Sequence, residues 1–228
     1  MQRSERRSSR YAASRRAVQC AIGLTLWLLV AVVQVHATQA RGGEPSGDTV
    51  LVMGDSLSAG YGMAAAQGWV ALTADRIAGE KPGWEVVNAS ISGETTAGGR
   101  ARIVDALALH RPEVVVIALG ANDGLRGLPI EAMRRNLAWM IGAAHGARAE
   151  VLLVGMQMPP NLGPDYTREF SGSYPLLSKR FDTGLVPFLL EPIATDRDNF
   201  QDDNLHPVAD AQPALRDHVW SALEPLLD

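Results

Sequence analysis

Cysteine is all but absent: the 228-residue chain holds one, Cys20. No intramolecular disulfide can form. If the segment around Cys20 is removed, cysteine nucleophiles and thiolate metal sites go with it, which suits an oxidising compartment without requiring one. No Leu-Ala-Gly-like stretch precedes Cys20, which argues against lipid attachment. Basic charge is also missing from most of the chain. Residues 41–228 carry 15 basic and 24 acidic groups, net −9, whereas residues 1–40 carry six Arg and one Glu, net +5. A domain at −9 lacks the basic face that nucleic acid requires. There is no internal repeat, and no Gly-x-Ser-x-Gly elbow, because Ser58 takes its last position; an α/β-hydrolase is thereby disfavoured.

A run of about 20 apolar residues, the length that spans a bilayer, is lacking as well. Residues 21–33 form an apolar stretch of 13, or 19 over residues 17–35 if four polar residues are admitted. Arg3, Arg6, Arg7, Arg10, Arg15 and Arg16 precede it and "QVHATQA" follows. A charged head, an apolar core and a small-residue site make residues 1–40 a signal peptide, with cleavage after Ala37 or Ala40. An uncleaved anchor is the alternative. The expected location is the bacterial periplasm or the exterior, with no stable membrane association after cleavage.

Beyond the lead-in "RGGEPSGD" (41–48), short apolar runs alternate with helical patterns. Strands are expected over 49–53, 84–88, 114–119, 151–156 and 185–190, rich in Val, Ile and Leu with little alternation, as in strands buried on both faces. Helices are expected around 64–79, 96–110, 129–146, 166–182 and 207–227. Repeated strand–helix units imply a parallel sheet with helices on both sides. Sites in such sheets form beyond the carboxyl ends of the strands. Four polar blocks fall at strand ends or at the start of the last helix: "GDS" (54–56), "NASISGETTAGG" (88–99), "GAND" (120–123) and "DDNLHP" (202–207).

Together these blocks hold the parts needed for acyl transfer to serine: a nucleophile, a base, a group that orients the base, and donors for an oxyanion. Ser56 is the candidate nucleophile, though Asp and Ser are also favoured helix caps and Ser56 can cap the helix that follows. His206 is the candidate base, with Asp203 three residues earlier to hold its ring and Asp202 as a neighbouring rival. Asn122 can offer a side-chain N–H. Gly93, in a loop with Gly98 and Gly99, can bring a backbone N–H close because no Cβ obstructs it. The remaining histidines read as structural: His36 belongs to the leader, His110 and His145 sit near helix C-termini, and His218 lies within the last helix. The oxygen-rich stretch 196–206 matches no calcium loop, and neither a metal nor a cofactor is expected.

The stretches "GDSLSAGYG", "VVNASISGETT", "GANDGLRG", "PPNLGPDYTREFSGSYP" and "QDDNLHPVADAQP" resemble the GDSL-type, or SGNH, hydrolase family, in particular its periplasmic thioesterase, lysophospholipase and arylesterase group. The resemblance covers about residues 48–226. It implies a three-layer αβα sandwich around a five-stranded parallel sheet over residues 48–228, and hydrolysis of acyl esters or thioesters by a monomer. By matching position it makes Ser56, Asp203 and His206 catalytic. The N–H groups of Ser56 and Gly93 and the Asn122 side chain would form the oxyanion hole. Leu125 and Arg126, within "DGLRG", and Met158 would bind the acyl group. The alternatives are a carbohydrate O-deacetylase of the same fold and a non-enzymatic binding protein.

Overall fold

The computed structural model of the protein describes residues 48–228; the expected leader lies outside the described residues. Five strands, β1 (Asp48–Gly54), β2 (Trp84–Asn88), β3 (Val114–Ala118), β4 (Glu150–Val154) and β5 (Gly184–Val186), form one parallel sheet in the order β2-β1-β3-β4-β5. The three central strands are Val-, Ile- and Leu-rich and buried apart from Asp48 and Glu150 at their starts. Such continuous apolar runs require cover on both faces of the sheet.

Seven α-helices supply it among the described residues: α1 (Ser56–Ala59), α2 (Trp69–Glu80), α3 (Thr96–His110), α4 (Ala121–Leu125), α5 (Ile130–Gly146), α6 (Pro164–Phe181) and α7 (Gln212–Leu223). Helix α2 packs on α7, while α3 packs on α5 and α5 on α6. With right-handed crossovers these two groups fall on opposite faces, giving the expected three-layer αβα sandwich. From β1 the chain passes to one edge, then crosses back to place β3 on the other side of β1. The direction of winding thus reverses between β1 and β3, and a crevice opens at their carboxyl ends.

Several expected boundaries shift. The fifth strand stops at Val186 rather than residue 190, because Pro187 has no N–H to continue the ladder. Residues 188–195 instead form turns, with Leu189, Leu190 and Ile193 buried, so their apolar character serves the core without a strand. The stretch expected as one helix over 207–227 is α7 flanked by single 3-10 turns, Ala209–Ala211 and Glu224–Leu226. Helices α1 and α4 carry no pattern in sequence, being only 4 and 5 residues long. Both lie at the carboxyl end of the sheet.

Candidate active site

Strand β1 delivers Ser56 to the crevice through a tight turn. Asp55 is extended and caps α1, its carboxylate accepting the Leu57 N–H at 3.0 Å. The cap is therefore Asp55 and not Ser56, which opens the helix with its hydroxyl free for other partners. At that position the Ser56 backbone N–H has no acceptor within the helix. Gly60, in the left-handed region at φ 74°, closes α1 after one turn.

His206 arrives from the other end of the chain. Its Nε2 lies 2.8 Å from Ser56 Oγ, and its Nδ1 lies 2.7 Å from Asp203 Oδ2. The Asp203 Oδ1 accepts two further bonds, from the backbone N–H groups of Leu205 at 2.9 Å and His206 at 3.0 Å. These donors, that of His206 first, hold the Asp203 carboxyl down at about 2. An ionised carboxylate at Nδ1 requires a proton there, which leaves the Nε2 lone pair of neutral His206 to accept the Ser56 O–H. The hairpin carrying this pair is pinned at its base, where Gln201 N–H donates to His206 O at 2.8 Å and Phe200 pairs with Pro207. Asp202 has no such role: its carbonyl accepts a long bond from Asn204.

Tyr61 stacks on the imidazole, ring centres 4.4 Å apart and planes tilted by 37°. It helps to leave the His206 side chain only 12% exposed, against 42% for Asp203. The Tyr61 carbonyl accepts from Gln201 Nε2, so one glutamine ties the turn after α1 to the histidine hairpin.

The expected oxyanion donors converge on the same crevice. Gly93 lies in the loop after β2 at φ 80°, where a side chain would be strained. Gly98 and Gly99 do not share that loop; both lie in the first turn of α3, where Gly99 lets Leu119 approach to within 2.4 Å of where a Cβ would stand. Asn122 is the second residue of α4. Its Nδ2 faces the buried Asp55 carboxylate at 3.4 Å, and its Oδ1 faces Arg126 Nη2 at 3.5 Å. Burial pushes the Asp55 carboxyl up to about 6, against the lowering effects of the Leu57 N–H, His206 and Asn122. Beside them Asp123, also buried, accepts from the Thr96 N–H at 2.8 Å and the Thr96 hydroxyl at 2.6 Å, fastening α4 to the start of α3.

Ser56, Gly93, Asn122 and His206 line a pocket of about 320 Å³, walled by Tyr61, Leu125 and Leu205. A second cavity of about 320 Å³ adjoins it, sharing Leu125 and Leu205 and lined by Met156, Met158, Phe188, Leu190 and Phe200. Met158 thus belongs to the adjoining chamber and not to the pocket around Ser56. Arg126 lines neither cavity; its Nη2 donates to the Gly93 carbonyl at 2.9 Å. Among the described residues no group of three acidic, His or Cys side chains could hold a metal, and no helix is long and apolar enough to cross a membrane.

The model of the GDSL-like Lipase/Acylhydrolase family matches residues 52–212, which takes in all of this machinery. The chain belongs to that family. Esterase TesA of Pseudomonas aeruginosa is 47% identical over 184 residues, 81% of this chain and 92% of its own. Thioesterase 1/protease 1/lysophospholipase L1 of Escherichia coli is 42% identical over 185 residues, 79% of this chain and 86% of its own. A crystal structure of TesA superposes with a TM-score of 0.76 at 48% identity, covering 78% of this chain and 99% of that one. This GDSL-family protein is an ester-bond hydrolase.

Asp55, Tyr61 and Leu205 are the site residues that sequence reasoning missed. Asp55 left a trace in sequence, a carboxylate set directly between a buried strand and the serine. Tyr61 and Leu205 left none, since only the meeting of two distant turns gives them a place.

Proposed function

We propose that Ser56 is the nucleophile of an acyl-transfer reaction, with His206 as its general base and Asp203 as the orienting carboxylate. The observation that carries this reading is the continuous chain Ser56 Oγ–His206–Asp203, at 2.8 and 2.7 Å. As Oγ attacks the acyl carbon, His206 Nε2 takes its proton and Asp203 stabilises the imidazolium. The carbonyl oxygen becomes an oxyanion facing the N–H groups of Ser56 and Gly93 and the Asn122 amide. Collapse expels the alcohol or thiol, protonated by His206, and leaves an acyl-Ser56. Water, activated by the same imidazole, then releases the acid.

The substrates are acyl esters and thioesters, among them aryl esters, acyl-CoA and lysophospholipids. The acyl chain passes the neck between Leu125 and Leu205 and enters the methionine-lined chamber, whose apolar walls suit a chain longer than acetyl. The enzyme is exported, its leader removed after Ala37 or Ala40, and acts as a monomer without stable membrane association. The basic head and apolar core of residues 1–40 support that placement.

A panel of p-nitrophenyl esters of graded chain length tests the reading. Activity is expected to rise from acetate to medium chains and to vanish in Ser56→Ala with folding unchanged. Met158→Trp is expected to depress the longer esters selectively. Full activity in Ser56→Ala would overturn the reading.

A further inference from the structure

Arg126 occupies an unusual place for a cation beside a reaction pocket. It follows Asn122 by one helical turn and is exposed, yet its guanidinium points back across the crevice rather than into it. One terminal nitrogen, Nη2, donates to the Gly93 carbonyl at 2.9 Å and reaches Asn122 Oδ1 at 3.5 Å. A Cβ built on Gly93 would stand 3.7 Å from that nitrogen, an ordinary van der Waals separation, so the guanidinium lies over the same side of Gly93 without crowding it. Gly93 and Asn122 come from different segments, the loop after β2 and the helix after β3.

Each contact removes a freedom that catalysis cannot tolerate. Gly93 has no side chain, so nothing of its own packs to fix its torsions. Asn122 has an amide that can flip. With Asp55 on its nitrogen side at 3.4 Å and Arg126 on its oxygen side, the flipped amide would set oxygen against carboxylate and NH₂ against guanidinium. One N–H of Asn122 is then spent on Asp55, leaving the second for the reaction.

We propose that Arg126 is a positioning residue, whose guanidinium clamps the Gly93 loop to the Asn122 amide and holds two donors of the oxyanion hole in register. This assignment rests on the acyl-transfer reading above and replaces the expectation that Arg126 binds substrate. Both donors must meet one oxygen as it becomes tetrahedral, so loosening the clamp raises the barrier to chemistry more than it weakens ground-state binding.

The test measures kcat and KM of Arg126→Met with a neutral aryl ester and with anionic acyl-CoA. A misplaced catalytic group can cost up to about 100-fold, so kcat is expected to fall about 10- to 100-fold for both substrates while KM stays within about 3-fold. In Arg126→Ala, millimolar guanidinium is expected to restore part of kcat, and in an Asn122→Ala background the loss on removing Arg126 is expected to shrink. Circular dichroism establishes that the variants are folded, and Arg126→Lys provides a second, milder substitution with an intermediate kcat. Unchanged kcat in Arg126→Met would overturn the clamp. So would a KM rise confined to acyl-CoA, which would make Arg126 a substrate-binding cation. Either result leaves Ser56→Ala inactive, whereas an active Ser56→Ala would remove the reading on which the clamp rests.

Discussion

Asp55 and Asn122 stand at the carboxyl ends of the adjacent strands β1 and β3, the carboxylate of one 3.4 Å from the amide nitrogen of the other. Asp55 therefore has two duties. One oxygen caps the helix that begins at Ser56, and the other faces the side-chain amide of Asn122, the proposed oxyanion donor. A single buried carboxyl thus couples Ser56 and Asn122, the proposed nucleophile and oxyanion donor.

That burial has a cost that depends on pH. The Asp55 carboxyl is raised to about 6 in the folded protein from 3.8. Below about 4 it is protonated in both folded and unfolded chains, and the ionisation term vanishes. As pH rises from 4 to 6 the unfolded chain loses its proton first, so this group withdraws stability, by about 3 kcal/mol once pH exceeds 6. Asp55→Asn has no such term. Urea titrations at pH 4.5 and 7.5 are expected to show wild type gaining stability relative to Asp55→Asn at the lower pH.

Asn122→Ala is expected to lower kcat by about 10²–10³ with little change in KM, the usual effect of losing one oxyanion donor. Steady-state kinetics on one short-chain aryl ester reads it. A loss appearing only in KM would mean that Asn122 binds substrate and does no more.

The neighbouring carboxylates should separate cleanly. Asp203 fixes the imidazole tautomer, so Asp203→Asn is expected to reduce kcat by up to about 10⁴, the size of the corresponding effect in another serine-hydrolase fold. Asp202 faces no part of the site, and Asp202→Asn is expected to stay within a few-fold. Held down at about 2, Asp203 is ionised at neutral pH, and Asp203→Asn removes that charge.

Asp123 supports the site without facing it. Asp123→Ala strands the buried N–H and hydroxyl of Thr96, a loss of about 2–6 kcal/mol at about 1–3 kcal/mol for each unpaired group. Thermal and urea unfolding should both register it. Asp123→Asn, which keeps one acceptor, is expected to lose less.

The arrangement of the candidate site was legible in sequence because it is local: Asp203 and His206 share one turn, and Ser56, Gly93 and Asn122 each follow a strand. Parallel-sheet geometry then brings those ends together. Asp55's second duty was not legible, since its meeting with Asn122 depends on the register between β1 and β3. Nor was the division of the residues expected to bind the acyl group. Leu125, Arg126 and Met158 looked equivalent, yet Leu125 borders both cavities, Met158 lines the outer one and Arg126 turns back to Gly93. The apolar run 185–190 mimics a strand because burial demands the same residue types of a turn, and only Pro187 marked its end. Helices of one turn, like α1 and α4, are too short for periodicity to reveal.

The central claim is that the acyl group passes through a covalent bond to Ser56. Mass spectrometry of the protein, acid-quenched during turnover of a p-nitrophenyl ester and after reaction with a phosphonate ester, tests it most directly. The account expects the acyl or phosphonyl mass on the peptide containing Ser56, no such mass in Ser56→Ala, and loss of activity in proportion to phosphonate labelling. Label on a different residue, or full activity in a protein whose Ser56 is stoichiometrically phosphonylated, would contradict it.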